Sequence, residues 1–181
     1  MNIKSKELIY VSLCSVIIII CSWISIPMAI PFTLQTFGIF LTLKILGGKL
    51  GTLSILIYIF LGILGLPVFA GFKSGFAALA GPTGGYIVGF ILTSLVIWIF
   101  ENLFYKNKLG FFLLSIFGLI LCYIFGTLWF VKVFIGPNGS INFTSALKMC
   151  VIPFVIPDLI KIFFAYFIGE KVSKTLKIDN K

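Results

Sequence analysis

The chain has 181 residues, 60% hydrophobic and 10% charged, with a mean hydropathy of +1.20; soluble chains carry roughly a quarter charged residues, so a water-soluble domain is excluded. Fourteen lysines against five acidic residues, with no arginine or histidine, give a net charge of +9, yet the lysines flank apolar runs, which points to membrane topology and away from nucleic acid. The absence of histidine weakens any reading that needs a proton shuttle or a histidine-based metal site, and neither a metal nor a cofactor is expected.

The length accommodates one domain, 1–181, of about six membrane spans. No run alternates polar and apolar residues as a membrane barrel does, so helices must satisfy the backbone in lipid. The expected fold is all-α and integral to the membrane. Lys4 and Lys6 precede a first span at about 8–28, too long for a signal-peptide core and without a small-residue cleavage site, so it reads as a retained helix. A second, short span at about 35–46 ends at Gly47-Gly48-Lys49, and a third at about 51–66 is bounded by Pro67. A Gly-rich outer loop, about 67–85, is too apolar for an ordinary exposed loop. The fourth span, about 86–104, closes at Tyr105-Lys106-Asn107-Lys108. The fifth, about 111–135, stops at the turn Gly136-Pro137-Asn138-Gly139. The sixth, about 146–168, is interrupted by Pro153 and Pro157, and a lysine-rich tail follows. Cys14, Cys21, Cys122 and Cys150 lie singly in apolar stretches and read as small packing residues.

With six spans, Lys4, Lys6, Lys44, Lys49, Lys106, Lys108, Lys171, Lys174, Lys177 and Lys181 fall on one side. Only Lys73, Lys132 and Lys148 fall on the other. The positive-inside rule then places both termini in the cytoplasm.

Four of the five acidic residues, Glu7, Glu101, Glu170 and Asp179, sit at span ends or in tails. Asp158 lies inside the sixth run, with Lys161 three residues on and on the same helical face. Ionisable residues at membrane depth usually face a cavity or a partner. The pair either neutralises itself and fixes helix register, or is offered to a polar ligand, a reading that Pro153 and Pro157 favour because broken helices line cavities. In Pro31 to Gly38, PFTLQTFG, the side chains of Thr33, Gln35 and Thr36 stand where the chain enters the second span. Gln35 either caps the span or offers its amide to an amide-like or urea-like ligand. Gly81-Pro82-Thr83-Gly84-Gly85 is turn chemistry, with glycines free to take positive φ: a tight connection, or a loop dipping over a site. Trp129 is either a packing residue or a wall for an apolar ligand. No phosphate-binding loop is present, and Asp158 lacks a second carboxylate at depth, so neither ATP hydrolysis nor aspartyl chemistry is expected of this chain.

Five segments, PFTLQTFG, GLPVFAG, GPTGGYIVGF, GTLW and PFVIPDLIK, occur in the order and with the spacing of the BioY family, the biotin-binding S components of energy-coupling-factor (ECF) transporters. The chain resembles that family from about Leu8 to Gly169. The resemblance implies a six-helix S-component fold in the bacterial cytoplasmic membrane, with a biotin site opening outward. It implies high-affinity biotin capture and import, with a transmembrane coupling protein and two ABC ATPases as partners. It implies that Asp158 and Lys161 form a polar clamp on the ligand, and that Gln35 and the stretch from Gly81 through Gly84 to Tyr86 line or cover the pocket; Thr33 and Trp129 join them as candidate ligand contacts on their own chemistry. The small-residue pair that many S components carry on the first helix for docking to the coupling protein is not cleanly reproduced; either Ser12 and Ser15 substitute, or docking is weaker or uses another surface. The alternatives are an S component or facilitator for another small vitamin, or a membrane assembly protein without transport.

Overall fold

The computed structural model describes residues 5–28, 30–104, 107–136 and 139–176. α1 (Ser5–Trp23) leads through the antiparallel pair β1 (Ser25–Ile26) and β2 (Phe32–Thr33) into α2 (Gln35–Ile63). A 3-10 turn at Ala70–Phe72 and the short α3 (Phe76–Ala80) come next, then α4 (Gly84–Phe104) and α5 (Lys108–Val133). A second hairpin, β3 (Ile135–Gly136) with β4 (Gly139–Ser140), precedes α6 (Phe143–Cys150) and α7 (Ile152–Leu176). Among the described residues, five helices are long and apolar enough to cross a membrane: α1, α2, α4, α5 and α7.

Both faces of these helices are apolar, so hydrophobicity does not decide which face turns inward. On α1, Leu8, Ile9, Leu13, Val16 and Ile20 point outward, whereas Cys14, Ser15, Ile18, Cys21 and Ser22 are buried. Lipid tails are as apolar as leucine, so helices associate through small residues and interhelical hydrogen bonds. Ser15 Oγ donates to Ser54 O (2.9 Å) and Ser54 Oγ to Val11 O (3.1 Å), stitching α1 to α2. Between α4 and α5 the same role falls to glycines. A Cβ on Gly89 would lie 2.7 Å from Cys122 Sγ, one on Gly118 would lie 2.7 Å from Thr93 Cγ2, and one on Gly126 would overlap the Tyr86 ring. Thr93 Oγ1 crosses this seam to Gly118 O at 2.8 Å.

The second and third expected spans form the single element α2, broken at Gly47 (φ 76°, ψ 178°). The break is sharp. Gln35 and Tyr58 would stand about 35 Å apart on a straight helix, yet Gln35 Nε2 donates to Tyr58 Oη at 2.9 Å. The two halves therefore fold back on each other. Glu101, from α4, accepts the freed Gly48 N–H at 3.1 Å, and a side chain on Gly48 would collide with the Trp98 backbone.

Other boundaries also moved. α1 ends at Trp23 rather than at residue 28, because Pro27 disfavours helical geometry at Ile26, which pairs in β1 instead. α2 ends before residue 66, where Gly65 takes φ 98°. The 67–85 stretch is not all loop, since it holds the 3-10 turn and α3. The last run divides at Val151 (φ −123°, ψ −56°) and extends to Leu176. Pro153 falls in the first turn of α7, where a missing N–H costs nothing, and Pro157 lies inside the helix without ending it. Lys4, Lys106, Lys177, Lys181 and Asp179, together with Tyr105, Pro137 and Asn138 of the expected turns, lie outside the described residues.

Candidate functional site

The folded-back α2, the β1–β2 hairpin and the segment before α4 enclose one side of a cavity of about 770 Å³, measured out to its open mouth. Helices α4, α5, α6 and α7 supply the other side. Thr33 lines it from β2, Gln35 and Thr36 from the start of α2, Tyr86, Ile87 and Phe90 from α4, and Leu119, Cys122 and Tyr123 from α5. Cys150, Phe154, Asp158 and Lys161 complete the far wall, and Phe69, Lys73 and Thr83 come from the covering segment. The lining is mainly apolar and aromatic with a few convergent polar groups, the usual composition of a small-molecule site.

Its polar centre is a chain of charge-assisted bonds. Lys161 Nζ donates to Asp158 Oδ1 at 2.7 Å and to Thr33 O at 2.7 Å, and lies 4.3 Å from the Phe32 ring centroid. Tyr123 Oη donates to the other carboxylate oxygen, Oδ2, at 2.6 Å. Asp158 is 3% exposed and Lys161 7%. Two ions this deep persist only when each is paired and hydrogen-bonded, and here both conditions hold. The helical register of α7 brings them together; β2, placed by the hairpin, brings Thr33 O to the ammonium.

Gln35 uses its backbone N–H on Thr33 Oγ1 (3.1 Å) and one amide N–H on Tyr58. Its amide oxygen and second N–H remain for a ligand. Tyr86 Oη and Thr127 Oγ1 are 3.1 Å apart, which fixes the phenol at the α4–α5 wall.

The sequence model of the BioY family matches residues 1–178. A biotin transporter BioY of Thermotoga maritima is 39% identical over 171 residues, covering 93% of this chain and 96% of that protein. A probable biotin transporter BioY of Pyrococcus horikoshii is 38% identical over 171 residues, covering 94% and 98%. A crystal structure of the S-component for biotin from an ECF-type ABC transporter superposes with a TM-score of 0.82 at 27% identity, covering 96% of this chain and 95% of that one.

The chain belongs to the BioY family. It is a non-enzymatic transporter subunit of the cytoplasmic membrane, with the helical S-component fold.

In this BioY-family chain the residues anticipated from sequence divide into two groups. Asp158, Lys161, Gln35, Thr33 and Tyr86 all line the cavity. Gly81, Gly84 and Trp129 do not; they build its cover. Trp129 Nε1 donates to Gly81 O at 3.0 Å, and a Cβ on Gly84 would overlap the Leu79 carbonyl. Neither Gly81 nor Gly84 takes positive φ; Gly84 is small for want of space, whereas a Cβ on Gly81 would come no closer than 3.3 Å to Ala77 O. Ser12 is exposed on α1, with its hydroxyl bonded to Leu8 O, whereas Ser15 is buried against α2 and is closed to a partner. Sequence reasoning missed Tyr123, Lys73, Tyr58 and Phe32. Tyr123 and Tyr58 are aromatics in apolar runs where aromatics abound, and Lys73 was counted only as a topological charge.

Proposed function

We propose that the chain captures biotin at this cavity and serves as the substrate-binding subunit of an ECF-type ABC transporter that imports it. The observation that carries the reading is the buried Asp158–Lys161 pair beside a Gln35 amide in an aromatic-lined cavity. Biotin presents two N–H donors and a carbonyl on its ureido ring, a thioether bicycle and an anionic tail. Asp158 accepts a ureido N–H, Lys161 or Gln35 donates to the carbonyl, and Phe69, Phe90 and Phe154 pack on the bicycle. Charge-assisted bonds in a dry site contribute roughly 1.5–3 kcal/mol each. The names of the relatives and of the superposed structure support biotin over other vitamins.

The chain itself supplies capture, and a transmembrane coupling protein with two ABC ATPases supplies the energy, in keeping with the missing phosphate-binding loop. The folded-back halves of α2 add a sixth crossing to the five long helices, with both termini in the cytoplasm and the cavity opening outward. Ser12, exposed on α1, stands on a face for docking to the coupling protein.

Calorimetric titration of biotin into the detergent-purified chain, beside Asp158→Asn, tests the reading. The expected result is tight one-to-one binding that the variant weakens at least about a hundredfold, as loss of a buried charge partner costs roughly 3–5 kcal/mol. A folded, monodisperse parent protein that releases no heat with biotin overturns the biotin assignment.

A further inference from the structure

Asp158 and Lys161 neutralise each other, and Lys161 spends a second donor on Thr33 O. The deep end of the cavity therefore offers polarity without net charge. An anion brought there has no counter-charge, and an uncompensated ion in a dry site is costly. Among the described residues lining the cavity, the remaining charged one is Lys73. It is exposed, and its ammonium makes no hydrogen bond or ion pair within the described chain.

The backbone around Lys73 turns through the left-handed region, free for glycine but strained at Phe72. Gly71 (φ 69°), Phe72 (φ 58°) and Gly75 (φ 78°) all have positive φ, and Phe72 is the sole non-glycine among the described residues to do so. The turn is closed by Phe69 N donating to Lys73 O at 3.1 Å, and Phe72 packs on Trp23 with ring centroids 5.3 Å apart. Strained backbone that the surroundings hold in place is characteristic of binding loops. Here it fixes Lys73 at the rim, while the paired ions lie at the floor.

We infer that Lys73 is the carboxylate-recognising residue of the site, so that the ligand enters ring first, with its ureido group against Asp158 and Lys161 and its anionic tail at the mouth on Lys73. The inference rests on the biotin reading and adds to it an orientation and a selectivity for the free acid. Thr83, half-buried in the same part of the lining, offers a hydroxyl to the same tail.

The test is a titration of biotin and of biotin methyl ester into the full chain, Lys73→Gln, Lys161→Gln and Asp158→Asn. The parent is expected to prefer the acid; Lys73→Gln lowers biotin affinity about 10- to 100-fold and leaves the ester unchanged, as one charge-assisted contact predicts. Asp158→Asn weakens both compounds alike. Lys73 is exposed, so its replacement leaves folding intact. Equal weakening of both compounds by Lys73→Gln, no effect on either, or loss of acid preference in Lys161→Gln instead, overturns the inference while biotin capture stands. A parent that binds neither compound overturns both readings.

Discussion

Both carboxylate oxygens of Asp158 are engaged, Oδ1 by Lys161 and Oδ2 by Tyr123. An ionised carboxylate oxygen has a second lone pair, so a ligand N–H joins this arrangement without displacing either donor. Tyr123 then serves as a positioning residue: it holds the carboxylate plane and satisfies the oxygen facing α5. Tyr123→Phe keeps the ring and removes the donor. It is expected to weaken biotin binding about tenfold, because the carboxylate loses its fixed plane, and to lower stability in detergent by about 1–3 kcal/mol, the cost of an unsatisfied buried acceptor. Calorimetry on the variant reads the first effect and a melting curve the second. Asp158 and Lys161 are legible in the sequence because ionisable residues are expensive at membrane depth. Tyr123 is not, because in a chain 17% aromatic its hydroxyl carries no positional signal until α5 is packed against α7.

At the scale of elements, the break at Gly47 does most to shape the site. It lets Gln35 meet Tyr58, and so places the amide at the cavity wall. The half from Gln35 to Leu46 is about 18 Å long at 1.5 Å per residue, less than the ~30 Å hydrocarbon thickness. Gly48→Ala drives a methyl into the Trp98 backbone and is expected to cost about 1–3 kcal/mol, read as a lowered melting temperature in detergent. The Gly47-Gly48 pair marked a boundary in the sequence. What it does there, folding one half on the other with Glu101 as its cap, depends on α4 and so was not legible. The break before α7 was misplaced for a related reason. Proline draws attention as a breaker, but in the first turn of a helix it is compatible, and the departure falls at Val151 instead. Ser12 and Ser15 are close in sequence, yet on α1 one meets the outside and the other α2.

For the whole molecule, the proposed six crossings and the lysine placement predict both ends of the chain on the cytoplasmic side. A fluorescent-protein fusion and an alkaline phosphatase fusion, each placed at the C-terminus, test this directly. Fluorescence without phosphatase activity is the expected outcome, and active phosphatase overturns the six-crossing topology. The all-helical membrane class was legible from composition alone. The fold-back of α2, the divided last run and the identity of the cover required tertiary contacts that no local pattern encodes.

The charges on the cavity wall, one negative at Asp158 and positive ones at Lys161 and Lys73, also have an electrical meaning. Empty, the site carries one elementary positive charge; filled by a monoanion, it carries none. Moving one charge through 100 mV involves about 2.3 kcal/mol, a forty- to fiftyfold bias in a rate or population. If the tail sits on Lys73 as proposed, the filled site is electrically neutral, and a membrane potential then biases its displacement less than that of the empty site.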